Sequence, residues 1–578
     1  MRFRTGKRSD GGSVLRVLCC GLVLAGCAQI PESGSPGGAN VAQAQDRPGG
    51  DPAVRVFAEG PQPGDSVSSI VAGFLEASGA VQDDGLRTAR EYLTSSASAR
   101  WTPNSGVTVY DHTQEKVTAK AADRLEFTAP VAATVDDQGV YLDAEPGRAV
   151  AADFTLVQVD GDWRIDSLPD GLFVSHQDFD LEYAQLDLQF LATGRQTPVL
   201  VPDPVYLRRD TDVPTALATA LLRGPSRWLG PVVTSAAPAN SGLEAPVQVV
   251  SGEAQVHLSP ASVPAVVADR DNLIAQLVTT ITADPDVTSV DVSAGGRPVL
   301  LSGKNNADLT LADVAKWSQA SLRPPPPSAY FVRDGVTYVA TTPAKQGPFS
   351  VTTSVAEMAV SPGNAMFAGV SKDRKTLWTS NSETPDHLTT TMTGTDLSSI
   401  TFDQDGNLWV LDGSGNTRAL RRLAPTGTIT TADLVGFTAG QVSRMRVAAD
   451  GVRLALVINE VAGPEVEVGL VSTSGSTIAV GSLRRLAFGL GDVADVGWSE
   501  PDRLTVLATE HNAAPQPFSV DMGGEAAESG PSLADVAGIA VAPGQPMIAT
   551  TSKKQVYRLR SGGGWLPIGT GTFATYPG

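Results

Sequence analysis

The feature that most constrains this chain is a strand–turn–strand unit repeated through its C-terminal half. Met358-Ala359-Val360 leads through Pro362-Gly363 to Met366-Phe367-Ala368, and Ile400-Thr401-Phe402 leads through Asp405-Gly406 to Leu408-Trp409-Val410. The layout recurs at Met445-Arg446-Val447 with Asp450-Gly451, at Val496-Gly497-Trp498 with Pro501-Asp502, and at Ile539-Ala540-Val541 with Pro543-Gly544. Gly363, Gly406 and Gly451 are separated by 43 and 45 residues, and Gly544 follows 93 residues later, with Pro501-Asp502 dividing that gap. This spacing matches the ~40–50-residue blade of a β-propeller. Each four-stranded blade has two faces to bury, and it buries them by packing on its neighbours in a closed ring. Segments 331–339 and 556–559 are expected to supply a further blade, closed by strands from both ends of the region. The expectation is an all-β propeller of about six blades over residues 330–578.

The N-terminus has a different character. Arg2, Arg4, Lys7, Arg8 and Arg16 accompany a short apolar run that ends in Leu22-Val23-Leu24-Ala25-Gly26-Cys27. A basic head, a short apolar core and small residues before a break form a secretory signal. The apolar part is about half the ~20 residues that a membrane-spanning helix needs. Leu24-Ala25-Gly26-Cys27 resembles the lipobox of bacterial lipoproteins. That resemblance implies that a peptidase recognises Leu24, Ala25 and Gly26 and cuts before Cys27, whose sulfur carries a diacylglycerol. Residues 1–26 are then a signal peptide. Residues 27–52, rich in Pro and Gly and poor in aromatic and β-branched side chains, are a lipidated flexible tether. The expected location is the cell membrane, lipid-anchored and facing the extracytoplasmic side, because two or more acyl chains hold a protein stably at a bilayer.

Composition narrows the function. Of the three cysteines, Cys19 and Cys20 leave with the signal and Cys27 is lipidated. No thiol remains for a disulfide, a Cys-ligated metal or a cysteine nucleophile. The formal net charge of −19 becomes −23 once the five basic residues and Asp10 of the signal are removed. That dispersed negative charge argues against nucleic acid or anionic lipid as partner, since both reward basic patches.

Between tether and propeller two further domains are legible. In 53–178, Asp65 or Ser66 caps a helix with Val67, Ile70, Val71, Phe74 and Leu75 on one face, and a second helix is expected over 85–94. A run of period-two segments then ends at the turn Asp160-Gly161-Asp162 and Trp163-Arg164-Ile165. Two helices before a curled antiparallel sheet resemble the NTF2-like α+β cone. In 179–312, strands near 186–190 and 199–207 precede a helix capped by Asp212 with Pro214 in its first turn. Strands at 247–250 and 254–258, a helix over 272–283 and a strand at 287–292 follow. This order, with Leu222-Arg223-Gly224-Pro225 after a helix and Ala254-Gln255-Val256-His257-Leu258-Ser259 before another, resembles the small α/β GerMN domain. The Gly224-Pro225 pair reads as a helix stop and turn. Residues 313–329, containing Pro324-Pro325-Pro326-Pro327, are expected to be a stiff Pro-rich linker.

Together these modules resemble the LpqB family of lipoproteins along essentially the whole chain, most specifically through Leu221-Leu222-Arg223-Gly224-Pro225-Ser226-Arg227-Trp228-Leu229. The resemblance implies an accessory partner of an MtrA–MtrB-like two-component system. Such a partner contacts the extracytoplasmic domain of the sensor histidine kinase and modulates its signalling in cell division and envelope homeostasis.

No set of residues reads as catalytic, so no enzyme activity, cofactor or metal is expected. His112, His176, His257, His387 and His511 are scattered, and zinc needs three or four converging ligands. There is no Gly-x-Ser-x-Gly elbow and no Gly-x-x-x-x-Gly-Lys loop. Asp403-Gln404-Asp405-Gly406-Asn407 has Ser414 where a calcium loop needs Glu, and so reads as a blade turn. The other readings are a binder of peptidoglycan or cell-wall glycan and a propeller hydrolase with acidic or histidine side chains in its channel. The anchor makes a direct prediction: Cys27→Ala moves the protein from the membrane fraction to the soluble fraction on cell fractionation, and retention in the membrane contradicts it.

Overall fold

The computed structural model describes residues 59–79, 86–195, 197–209, 211–322, 328–341, 344–350, 355–384, 387–461, 463–510, 514–524 and 526–578. The signal peptide, the tether and Leu24, Ala25, Gly26 and Cys27 lie outside the described residues. Among those described, no helix is long and apolar enough to cross a membrane.

In the first domain the Ser66 hydroxyl accepts the Ser69 N–H at 3.1 Å and caps helix Val67–Gly79. Ile70, Val71, Phe74 and Leu75 face inward. They pack on a sheet ordered Asp162–Ser167, Ala149–Val159, Arg124–Val135, Val107–Tyr110 and Leu172–Ser175. The long strand Arg124–Val135 pairs with Ala149–Val159 through its first half and with Val107–Tyr110 through its second. The sheet therefore curls around the helix, and Phe74 meets Trp101 and Phe154 edge-on at 5.3 and 6.1 Å. The helix expected over 85–94 is shorter, Arg87–Glu91, and a capped turn of helix, Ser95–Arg100, follows it. The strand Leu172–Ser175 was not legible because it pairs in parallel with the distant Val107–Tyr110 and leaves no hairpin signature.

Helix His176–Glu182 carries the chain directly into the second domain. There Tyr183–Ala192 pairs antiparallel with Leu200–Arg208. Glu253–Leu258 and Ser289–Ala294 run parallel across helix Val267–Ile281, a βαβ crossover. Asp212 accepts the Thr215 N–H at 3.3 Å and caps helix Val213–Arg223, which ends at Gly224 with φ 111°. The linker expected over 313–329 begins later than its composition suggested. Val314 and Trp317 are buried in this domain's core, and Trp317 Nε1 donates to Asn272 Oδ1 at 2.7 Å. Those two apolar side chains give the segment a hold that a spacer lacks; the four prolines lie outside the described residues.

Among the described residues the C-terminal region forms six sheets arranged as a propeller. Blade 1 joins Tyr330–Arg333, Val336–Val339 and Lys345–Ser350 to Thr572–Thr575, so strands from both ends of the region close the ring. The closing strand differs from the sequence reading: Gln555–Leu559 is the third strand of blade 6. The inner strands Val355–Val360 (blade 2), Leu397–Phe402 (blade 3), Val442–Val447 (blade 4), Gly491–Glu500 (blade 5) and Val536–Ala540 (blade 6) each touch the next. Thr572–Thr575 touches both Val536–Ala540 and Val355–Val360. Blade 4 is the largest, its second strand Arg453–Glu460 being followed by the long hairpin of Gly463–Ser474 and Thr477–Leu486.

The repeated turn motif has a physical cause. Gly406 and Gly451 sit at φ 77° and 76°, a region that side chains disfavour. The Asp three residues earlier in blade 3, Asp403, accepts the N–H groups of Asp405 and Asn407 and the Trp409 indole N–H at 2.9–3.0 Å. Its carboxylate is thereby committed to the turn, as a blade-turn reading requires.

The second domain and the propeller share a core. Val452 and Leu470 of blade 4 pack in the same cluster as Leu217, Leu221 and Trp317. Beside them Arg453 and Asp450, both 0% exposed, form a buried ion pair. Arg453 Nε and Nη2 donate to Asp450 Oδ2 at 2.9 and 2.6 Å, and Nη2 also reaches the Pro501 carbonyl of blade 5. Removing one member leaves the other charged in a dry site. Arg453→Ala is expected to lower unfolding free energy by about 3–5 kcal/mol in denaturant titration. A loss below about 1 kcal/mol means that the pair is dispensable.

Candidate functional site

In each blade the first-to-second and third-to-fourth turns lie on one face of the ring, and the second-to-third turns lie on the other. The N-terminal domains occupy the first face. Arg195 of the second domain pairs with Asp405 at 2.9 Å and donates to the Asp450 carbonyl at 3.0 Å, both in first-to-second turns. Gly523 and Gly524, in the third-to-fourth turn of blade 5, lie against Pro204 and Tyr206.

The stretch Leu221–Leu229 singled out in the sequence proves to be a clamp between all three domains. Gly224-Pro225 ends the helix, as read; the residues around it do more. Arg227 pairs with Asp136 and Asp137 of the first domain at 3.3 and 3.0 Å, and Arg223 donates to the Asp137 carbonyl. Trp228 Nε1 donates to the Ser482 carbonyl of the propeller at 2.7 Å. Arg484, on the last strand of blade 4, lies 5.4 Å from the Trp228 ring centroid and donates to the Tyr141 carbonyl of the first domain. Burial pushes the Arg484 guanidinium below its usual range, and the carboxylates of Asp203, Asp143 and Asp136 oppose that shift. Nothing in the local pattern signals such a role, because every partner is remote in sequence.

Two hollows flank the clamp. One, of 780 Å³, lies between Leu142, Asp143 and Arg148 of the first domain and Arg484, Phe488 and Met522 of the propeller. The other, of 450 Å³, contains Asp187, Tyr206 and Arg209 of the second domain and Asp502, Arg503 and Asp521 of blade 5. Burial, aided by the Asp502 charge, pushes the Asp187 carboxyl up to about 7, against the pull of Arg453; Asp521 and Asp203 raise it further. Its Oδ1 has no partner among the described residues.

The propeller channel is a third hollow, of 380 Å³. Two carboxylates line it. Glu357 of blade 2 pairs with Arg374 at 3.1 Å and accepts the Ser399 N–H of blade 3 at 2.6 Å. Asp495 of blade 5 lies 3.6 Å from Arg446 and accepts the Ile539 N–H of blade 6 at 3.0 Å. Each therefore staples neighbouring blades. No histidine lines the channel, and among the described residues no group of three or more His, Cys, Asp or Glu is placed to hold a metal. His257 is engaged with Ser293 at 2.7 Å and His176 lies 4.0 Å from Asp180; His511 lies outside the described residues.

Comparison with known proteins agrees with this architecture. Residues 60–180 match the family model "Lipoprotein LpqB, N-terminal domain", residues 187–300 "Sporulation and spore germination", and residues 335–577 "Lipoprotein LpqB beta-propeller domain". The chain is 30% identical to Lipoprotein LpqB of Thermobifida fusca, over 99% of this chain and 100% of that one. The chain belongs to the LpqB lipoprotein family. Lipoprotein LpqB of Streptomyces coelicolor is 29% identical over 100% of this chain and 99% of its own length. Among solved structures, TolB from Acinetobacter baumannii covers 43% of this chain and 66% of its own at 14% identity and a TM-score of 0.35. As an LpqB-family protein, the chain is a membrane-anchored lipoprotein carrying a GerMN domain and a β-propeller.

The raised Asp187 carboxyl sets a pH dependence. The folded chain holds this proton up to about 7, whereas an unfolded chain releases it near 4. Protons are bound on folding between those values, so the contribution of Asp187 is fully favourable below about 4 and is lost as pH rises through 7. Asp187→Asn is expected to raise the thermal midpoint above pH 7 and to leave it near that of the parent at about pH 4. Parallel pH profiles for the two proteins contradict this assignment.

Proposed function

We propose that this chain is a non-enzymatic accessory lipoprotein on the extracytoplasmic side of the membrane, tethered through Cys27. Its folded body binds the extracytoplasmic domain of an MtrB-like sensor histidine kinase and modulates signalling in cell division and envelope homeostasis. The observation that carries this reading is the match to LpqB lipoproteins along the entire chain, from the lipobox-like Leu24-Ala25-Gly26-Cys27 to the closing blade. Two structural features support it. The channel carboxylates are taken up in stapling blades, which suits a binding body more than a hydrolase. The 780 Å³ cleft between first domain and propeller combines exposed Leu142, at 45% accessibility, with Phe488 and the charged Asp143, Arg148 and Arg485. A mixed apolar and charged concavity held rigid by the clamp suits an inserted loop of a partner protein.

The test is calorimetry between the mature chain and the extracytoplasmic domain of the MtrB-like kinase from the same organism. Saturable binding at micromolar concentration or tighter is expected, and Leu142→Asp is expected to weaken it about tenfold or more, since an interface centre tolerates a buried charge poorly. Absence of binding to a demonstrably folded kinase domain shifts the reading to a cell-wall glycan binder.

A further inference from the structure

The second-to-third face of the propeller is turned away from the N-terminal domains, and the channel that opens there is lined by more cations than side-chain carboxylates, the reverse of the balance in the chain as a whole. Four cations line the channel along its length. Arg374 and Lys554 come from the second-to-third turns of blades 2 and 6, and Arg444 and Arg446 from the inner strand of blade 4. The two carboxylates of the channel neutralise Arg374 and Arg446. Arg444 donates to its neighbour's carbonyl, that of Ser443, and among the described residues neither it nor Lys554 forms an ion pair.

A fifth cation crowds the same rim. Arg418, in the second-to-third turn of blade 3, donates to the Val442 carbonyl and to Ser398 Oγ, and its Nε is buried without a partner. Its guanidinium lies below its usual range, chiefly from burial and further from the charges of Arg374 and Arg444, with Asp396 and Glu357 opposing. The arginines of blades 2, 3 and 4 thus repel one another across the mouth, and Asp396 and Glu357 offset that repulsion in part. An anion entering there relieves that repulsion.

The remaining lining defines the ligand more closely. Hydroxyls of Thr401, Thr551, Ser552 and Thr572 ring the channel, and Ile400 and Phe573 give it apolar wall. Gly578, held by its N–H to the Val360 carbonyl, lies at the opposite end near the first-to-second turns. A cavity of 380 Å³ is at the small end of ligand sites, which run from about 300 to 1,000 Å³. We infer that the open mouth of the propeller channel binds a small anionic sugar, one carboxylate or phosphate held by Arg444 and Lys554 with its hydroxyls against the Thr and Ser ring. Binding of this kind is independent of the kinase partnership, which we place in the separate cleft between the first domain and blades 4 and 5.

The test uses the full-length lipoprotein in detergent, titrated calorimetrically with glucuronate, glucose 6-phosphate, glucose and inorganic phosphate. Saturable binding of glucuronate or glucose 6-phosphate, without binding of glucose, is expected, and it should weaken as salt is raised. The sugar acid and the sugar phosphate separate the two possible anionic groups. Combined Arg444→Ala and Lys554→Ala substitution should reduce affinity at least about tenfold, since each charge-assisted hydrogen bond contributes on that scale. Both side chains lie at the mouth and not in a blade core, so an unchanged thermal midpoint shows that the variant is folded. Arg444→Lys should retain part of the affinity. The proposal is overturned if neither anionic sugar binds, if binding survives the double substitution, or if inorganic phosphate binds as tightly as the sugars.

Discussion

The Asp450–Arg453 pair is the contact on which the rest of the assembly depends. A buried ion pair costs more in lost hydration than its attraction returns unless its remaining donors and acceptors are satisfied. Here all but Arg453 Nη1 find partners, and those partners are distributed across the protein's parts. Asp450 Oδ1 accepts the Val452 and Arg453 N–H groups at 2.9 and 3.2 Å and so shapes its own blade turn. Its carbonyl takes Arg195, and Gln319 Nε2 approaches Oδ2 at 3.4 Å, both from the second domain. Arg453 reaches blade 5 at Pro501 and lies 4.9 Å from the Trp498 ring centroid. One pair thus ties a turn, two blades and a neighbouring domain together, and Val452 inserts into the shared core at the same point.

That arrangement explains why the N-terminal domains sit on one face of the ring. The first-to-second turns of blades 3 and 4 present the Asp405 carboxylate and the Asp450 carbonyl outward, and the second domain docks on them through Arg195. Arg195 meets Asp405 and Asp450, while Arg484 answers in the other direction from the propeller to Tyr141 and Asp203. The clamp at Arg223, Arg227 and Trp228 adds a third side. Such contacts are directional, so they fix orientation as well as proximity.

How much of this was legible follows from how local each cause is. The propeller repeat was visible because glycines at positive φ must recur wherever the turn recurs. The caps at Ser66 and Asp212 were visible because a cap and its N–H lie three residues apart. The strand Leu172–Ser175, the docking of Trp317 and the closing strand Thr572–Thr575 were not, since each depends on a partner far along the chain. The same holds for the site. The stretch around Gly224-Pro225 stood out as distinctive, yet its contacts with Asp136, Asp137 and Ser482 exist only in three dimensions. Likewise, Arg374, Arg418, Arg444 and Lys554 are unremarkable residues scattered over four repeats until the ring brings them to one channel.

The ring also explains how an acidic protein comes to hold a basic hollow. Along an inner strand alternate side chains point into the channel, and a closed ring focuses whatever charge they carry into a narrow, poorly hydrated space. Glu357 and Asp495 staple blades 2 to 3 and 5 to 6 and pair with Arg374 and Arg446, so among the described residues neither is paired with Arg444 or Lys554. Lys554 is exposed and Arg444 half-buried in the channel that opens on the face the N-terminal domains do not cover. The acidic turns on the covered face are used up in holding the domains together, so assembly and ligand contact fall to opposite faces of one ring.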